Sequence, residues 1–276
     1  MATKAKRMGE RATARSETIA EIRERLKNAD ALELETLERV FESDSRKGVQ
    51  DALQAARKRI EAQVAEEKRL NSLYELELTL ARERDTSLVM GLDEVGRGPL
   101  AGPLVIGAVV LPPSPRIKGL NDSKQIAPEK RIALADEIKS VARAWDVEYI
   151  DPADIDTLGM TACLRQAFSR AVHAIDAHMP GVGLVLIDGN PLHIDEREIN
   201  VIKGDARCAS IAAASIIAKV DRDAYMTSMA NCYPEYAFEQ NKGYGSAAHM
   251  QAIEAYGLSP LHRRSFCGAF LQETLF

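Results

Sequence analysis

Leu88-Val-Met-Gly-Leu-Asp93-Glu94-Val-Gly96-Arg97-Gly98-Pro99-Leu-Ala-Gly-Pro103-Leu104-Val-Ile-Gly-Ala-Val-Val-Leu111 holds two apolar runs separated by a turn rich in glycine and proline. Runs of Val, Ile and Leu of this length, punctuated by Gly and Pro, predict two strands, 88–95 and 104–111. The first ends on a pair of carboxylates. Downstream, Pro128 suits the first turn of a helix reaching about Arg143, and 145–150 makes a third strand. A helix follows over 160–178, then short strands at 184–187 and 199–202. An Ala-rich helix spans about 206–229, and a last one starts near Ser246. Strands first and strand–helix alternation after them predict an α/β domain whose mixed sheet is flanked by helices.

Upstream of residue 88 the composition changes. All 11 prolines lie at or after Pro99, and residues 1–87 contain only Gly9 and Gly48. Such a segment favours helix throughout. Thr18 with Glu21 makes a capping box ahead of Ile19, Ile22 and Leu26, and Asp30 caps a second helix carrying Leu34, Leu37 and Phe41. A long third helix from about Gly48 carries Val49, Leu53, Ala56, Ile60 and Val64 as a stripe. The expected organisation is an all-α N-terminal extension, 1–87, a helical hairpin or coiled coil with a basic tail, followed by an α/β domain, 88–276. The extension is either a solvated appendage, a partner contact, or a duplex-binding element through Arg57-Lys58-Arg59 and Lys68-Arg69. Interspersed glutamates argue against a strong nucleic-acid patch.

Composition narrows the class. The 276 residues are 46% hydrophobic and 28% charged, which is the composition of a globular protein. The first 88 residues hold 18 of the 36 basic and 18 of the 41 acidic side chains, so the rest of the chain carries the whole net charge of −5. The opening Met1-Ala-Thr-Lys-Ala-Lys-Arg lacks an apolar signal segment, and the uncharged stretch between Arg207 and Lys219 falls short of the ~20 residues that span a bilayer. A cytoplasmic, monomeric protein without a membrane segment is expected. Cys163, Cys208, Cys232 and Cys267 form no C-x-x-C pair and read as free thiols.

The chemistry is in the acids. Asp93 and Glu94 close the first strand, Asp188 closes a buried one, and Asp205 precedes the Ala-rich helix. Carboxylates at strand ends and helix starts converge on the edge of an open sheet where ligands bind. Without His or Cys among them, they suit Mg²⁺ or Mn²⁺ rather than zinc. Two such ions ~3.5–4 Å apart activate a water and stabilise the leaving oxygen of a phosphodiester. Each acid also has a plainer role: Asp205 as a helix cap, Asp188-Gly189 as a turn pair. Asp93 and Glu94 point to opposite faces of a regular strand, and serve one site only if the strand ends or twists there. Gly96-Arg97-Gly98-Pro99-Leu100-Ala101 fits a dinucleotide fingerprint, but a strand rather than a helix follows, so that reading fails.

The block Asp93-Glu94-Val-Gly-Arg-Gly-Pro-Leu-Ala-Gly-Pro103 resembles the signature of ribonuclease HII, the type 2 ribonuclease H family. In order after it come Asn121-Asp-Ser-Lys124, Ile187-Asp188-Gly189, Lys203-Gly-Asp205 leading to Ser215 and Lys219, and Lys242-Gly-Tyr244-Gly with His249, then Pro260-Leu-His262-Arg263-Arg-Ser-Phe266. The resemblance covers roughly residues 88–267. An all-helical extension is similar to that of some bacterial members and unlike the sheet-containing N-terminal domain of ribonuclease HIII.

The resemblance implies an RNase H-like fold and hydrolysis of RNA in RNA–DNA hybrids, with cutting 5′ of single ribonucleotides embedded in duplex DNA to leave 3′-hydroxyl and 5′-phosphate ends. It implies a catalytic and metal-binding role for Asp93, Glu94, Asp188 and Asp205. It implies substrate binding by Gly96, Arg97, Gly98, Ser123, Lys124, Ser215, Lys219 and Tyr244. The Gly-Arg-Gly backbone would approach the minor groove and its 2′-hydroxyl, and Tyr244 would pack on the neighbouring deoxyribose. Lys219, Arg222, Lys242, Arg263 and Arg264 would offset the acidic charge near phosphate. Gln125 stands where the family often has Lys. His249 reads as a structural residue of the last helix, and neither it nor His262 is given a general-base role. Leu271-Gln-Glu-Thr-Leu-Phe276 suggests a sliding-clamp contact. Two alternatives stay open, a junction resolvase of related fold and a hybrid-binding protein without catalysis; cleavage of all-DNA junctions marks the first, dispensable carboxylates the second.

Overall fold

The computed structural model describes residues 17–271, so the basic N-terminal tail and most of the Leu271–Phe276 tail lie outside the described residues. The chain separates into two compact units, one ending at Arg69 and one starting at Leu70.

In the first unit, helices α1 (Ile19–Asn28) and α2 (Ala31–Val40) are followed by the long α3 (Lys47–Glu83). Thr18 caps α1 by accepting the Glu21 N–H, and its own N–H donates to the Glu21 carboxylate at 2.7 Å. Asp30 accepts the Glu33 N–H at 2.8 Å at the start of α2. Ile22, Leu26, Leu37, Phe41, Val49 and Leu53 form the core. Val64 departs from the predicted stripe and is 58% exposed, because the apolar surface it would need ends near Ile60. The cations read as a duplex contact are largely engaged: Arg57 pairs with Glu38, Arg69 with Glu66, and Arg59 donates to the Leu26 and Ala29 carbonyls.

The second unit begins with the last turns of α3. Its sheet has five strands, β1 (Val89–Val95), β2 (Leu104–Val110), β3 (Ala144–Ile150), β4 (Leu184–Asp188) and β5 (Glu198–Val201), in the order β3-β2-β1-β4-β5. β1 runs antiparallel to β2 and parallel to β4. Helices α4 (Pro128–Val141), α5 (Pro152–Leu158), α6 (Met160–His178) and α7 (Ala209–Met229) accompany it, followed by the four-residue α8 (Phe238–Asn241), α9 (Ala247–Tyr256) and α10 (Gly268–Leu271). The mixed, helix-flanked sheet is the predicted class; α5, α8 and α10 are too short to show a periodicity. α7 starts later than expected, because Gly204–Ala206 forms a separate 3₁₀ turn.

Met90, Leu92, Ile106 and Ala108 face a core shared with α6 residues such as Phe168 and Val172. The opposite face meets α7 at glycines. A Cβ on Gly91 would lie 2.3 Å from the Ser210 carbonyl carbon, and one on Gly107 would lie 2.3 Å from the Ala214 oxygen. Backbone-to-backbone approach of this kind holds α7 against the strand that carries Asp93. Leu70, Leu73 and Tyr74 of α3 are buried with α4 and α7 residues. All four cysteines are free, Cys232 alone being exposed. Among the described residues no helix is long and apolar enough to cross a membrane.

Candidate active site

Asp93 shares the α7 face with Gly91, two residues before it, and is 6% exposed. β1 pairs with β4 only as far as Leu92 with Ile187, yet continues beside β2 to Val95 with Val105. The strand therefore does not end at the carboxylates; it separates from one neighbour there. Asp188 closes β4 beside this opening, and its Oδ1 accepts the Gly204 N–H at 2.5 Å, which ties the 3₁₀ turn carrying Asp205 to the end of β4.

Electrostatics show that the four acids share one field. Burial, then the charges of Glu94 and Asp188, push the Asp93 carboxyl well above its ordinary range. Burial raises Glu94 too, opposed by Arg97, whose Nη1 lies 3.0 Å from Glu94 Oε1. Asp205 is raised by burial and by Asp188 and Asp122, with Lys124 acting against them. A cluster of mutually repelling, hard-oxygen donors fits a divalent cation. Among the described residues no three His, Cys, Asp or Glu side chains already stand arranged to hold one ion. The fold brings the carboxylates of β1, the end of β4 and the Asp205 turn together, with Asp93 and Asp188 each accepting a main-chain N–H and Glu94 paired with Arg97.

The remaining candidates divide by exposure. Gly96 is buried with φ +98°, while Arg97 and Gly98 are exposed at the apex of the turn. Tyr244 is 45% exposed. Lys124 faces solvent, and Lys219 bonds Asp223 at 2.8 Å. Ser123 and Ser215 are buried, with their hydroxyls 3.1 Å apart, and Ser215 also bonds Asp93. In this arrangement Ser215 lies between Ser123 and the carboxylate, and neither serine faces solvent.

Two of the expected surface cations are in the interior. Arg222 and Arg263 are fully buried, so neither offsets charge at a solvent-facing phosphate surface. Burial pushes Arg263 down to about 10, with Arg222 adding to the effect, and it stays charged at neutral pH. The donors of both go to main-chain carbonyls. Arg263 reaches Gly96, Arg97 and Gly102; Arg222 reaches Ala101, Pro103 and Lys242. Sequence reasoning missed this because arginine ordinarily sits at the surface, and Arg222 stands in the charged stretch 219–223, where nothing marks it as buried.

Both histidines are buried and bonded to other protein groups, His249 as expected of a structural residue. His249 Nδ1 donates to the Tyr244 carbonyl at 2.8 Å, which leaves Nε2 to accept from His262 Nε2 at 3.0 Å. His262 Nδ1 then accepts from the Ser259 N–H at 2.9 Å. Each ring is neutral in this arrangement, and burial holds both below the usual range, His262 at about 4.

The family model described as Ribonuclease HII matches residues 90–269, and that of the Ribonuclease HII N-terminal domain matches 18–81. A ribonuclease HII from Halalkalibacterium halodurans is 42% identical over 254 residues, which cover 90% of this chain and 93% of that protein. The ribonuclease H2 crystal structure from Pyrococcus horikoshii OT3 is 26% identical with a TM-score of 0.56, covering 68% of this chain and 100% of that one. Bst-RNase HIII in complex with Mn²⁺ shares the fold at 22% identity and a TM-score of 0.56, over 70% of this chain and 73% of that one. With both units matched in order and a relative this similar along nearly its whole length, the chain belongs to the ribonuclease HII family.

Proposed function

We propose that this protein is a divalent-metal-dependent endoribonuclease that hydrolyses RNA in RNA–DNA hybrids and cuts 5′ of ribonucleotides embedded in duplex DNA, leaving 3′-hydroxyl and 5′-phosphate ends. The observation that carries it is the meeting of Asp93, Glu94, Asp188 and Asp205 in one electrostatic field at the sheet edge, beside an exposed Gly-Arg-Gly turn.

In this reading the four carboxylates hold Mg²⁺ or Mn²⁺ after side-chain rotation. A bound cation of this class supplies Lewis-acid activation of water and neutralises charge on the leaving oxygen. The protein's own groups do the rest. Ser215, bonded to Asp93 and facing Ser123, fixes the most buried carboxylate in orientation. Arg97 holds Glu94 from the solvent side. The backbone of Gly96–Gly98 reaches the minor groove and senses the 2′-hydroxyl, which separates RNA from DNA without reading bases. Tyr244 offers an exposed ring to the adjoining deoxyribose, and Lys124 and Lys219 meet phosphates, which position a duplex without sequence preference. A sliding clamp is a further proposed partner, through the terminal Leu271–Phe276 segment; removing Leu275 and Phe276 should abolish clamp binding in a pull-down while cleavage is retained.

The test is cleavage of an end-labelled duplex containing one ribonucleotide, beside an all-DNA control, with Mn²⁺, Mg²⁺ or EDTA. One cut immediately 5′ of the ribonucleotide, absent with EDTA and in the control, is the expected result. Asp93→Asn and Asp188→Asn should each lower turnover by ~10²–10³-fold, as for loss of one group that stabilises developing charge. Both should bind the duplex as well as or better than the parent, since a negative charge near phosphate is gone. Normal turnover in both variants, or cleavage of an all-DNA junction, would sink the reading.

A further inference from the structure

Arg263 and Arg222 lie behind the two surfaces that face the proposed substrate. Arg263 Nη2 donates to the Gly96 carbonyl at 2.6 Å and to the Gly102 carbonyl at 2.7 Å, and its Nη1 donates to Arg97 at 3.1 Å. One guanidinium thus spans both ends of the Gly96–Pro103 turn. Arg222 holds the same turn through Ala101 at 3.1 Å and Pro103 at 2.9 Å, and reaches the Tyr244 loop through the Lys242 carbonyl at 3.0 Å.

The two segments also bond directly. The Leu100 and Ala101 N–H groups both donate to the Gly243 carbonyl, at 2.9 and 3.2 Å. The Arg263 N–H donates to Leu100 O at 2.8 Å, and the neighbouring His262 donates from Nε2 to His249, whose Nδ1 in turn donates to the Tyr244 carbonyl. No space is left for side chains at the crossing points. A Cβ on Gly96 would lie 2.4 Å from Arg222 Nε, and one on Gly243 would lie 2.2 Å from the Ala101 oxygen.

We propose that Arg263, assisted by Arg222, is a positioning residue that fixes the Gly96–Pro103 turn and the Lys242–Gly245 loop to each other as one rigid jaw, so that recognition of a ribose and of the deoxyribose beside it are set together. The inference rests on the roles proposed above for Gly96–Gly98 and Tyr244. Its physical basis is the shape of guanidinium. A planar fork of five donors satisfies three spaced carbonyls at once, whereas a lysine ammonium carries the same charge on one point and leaves some of them unpaired. A buried carbonyl without a donor is costly, so the turn relaxes toward water when the fork is lost.

The experiment compares full-length parent and Arg263→Lys, first by hydrogen exchange without substrate. Faster exchange is expected in peptides covering 96–103 and also in those covering 242–249, which Arg263 does not touch, with the strand peptides 104–110 and 184–188 unchanged. Acceleration confined to 96–103 would overturn the coupling. The second arm measures kcat/KM on a duplex with one ribonucleotide and on a continuous RNA–DNA hybrid. The ratio of the two should change about tenfold, the equivalent of one lost hydrogen bond; equal loss on both substrates would overturn the role in discrimination. A parent protein that cuts neither substrate would refute the proposed function, while the exchange data still decide the coupling. Should Arg263→Lys not fold, His249→Ala breaks the tie from the other side, and unchanged exchange over 96–103 in that variant would likewise overturn the proposal.

Discussion

Glu77 lies in the second unit at the N-terminal end of α7, where its carboxylate accepts from both the N–H and the hydroxyl of Ser210. Burial pushes it up to about 7 from 4.5, against those two bonds. Its sign follows from linkage. Between about pH 4.5 and 7 the folded protein holds a proton that the unfolded chain has released, so this residue's contribution to stability falls as pH rises and levels off above 7. The total is roughly 3 kcal/mol, from about 1.4 kcal/mol per pH unit. Glu77→Gln keeps an acceptor for Ser210 and removes the titration. Its urea midpoint should match the parent at pH 4.5 and exceed it at pH 8; no difference at pH 8 would contradict the assignment. At this scale the sequence was half legible. Asp93 and Glu94 announce themselves late in an apolar strand and Asp188 at the end of one, but nothing local distinguishes Arg222 and Arg263 from surface cations, since what buries them includes carbonyl groups more than 100 residues away.

Between elements, the decisive contact is α7 lying on β1 and β2 through Gly91 and Gly107. Replacing Gly107 by Ala sets a methyl 2.3 Å from the Ala214 oxygen. Neither partner is a flexible side chain, so α7 must shift, and overpacking of this kind costs about 1–3 kcal/mol. The shift also moves Ser215, the next residue along, away from Asp93. A lower melting temperature together with at least a tenfold loss of turnover is therefore expected; a drop in stability with normal turnover would show that Ser215 does not orient Asp93. Several helices were readable from their first residues and their period: Thr18, Asp30, Pro128 and Ser246 each stand at the start of one. The 3₁₀ turn with Asp205 was not, because Lys203 enters it in a left-handed conformation that ordinary residues seldom adopt.

Across the molecule, the division after Arg69 falls inside α3, where no Pro or Gly marks it. Composition instead changes near residue 88, so the two descriptions of the chain differ by the length of residues 70–87. Chains starting at 70 and at 88 separate them. The first should melt close to the full-length protein and retain cleavage with weaker duplex affinity. The second loses buried Leu70, Leu73 and Tyr74, at about 2–5 kcal/mol for each large core side chain, and should fail to fold. The order of strands has a temporal side as well. β1 meets β2 across a short turn, but its pairing with β4, from Val89 with Leu184 to Leu92 with Ile187, joins residues about 95 apart, and it is this closure that brings Asp93 beside Asp188. Contacts this remote along the chain form slowly. During synthesis, then, a chain that has emerged only as far as β2 carries Asp93 and Glu94 but neither Asp188 nor Asp205, and the four acids come together only once β4 and the Gly204–Ala206 turn have joined the sheet.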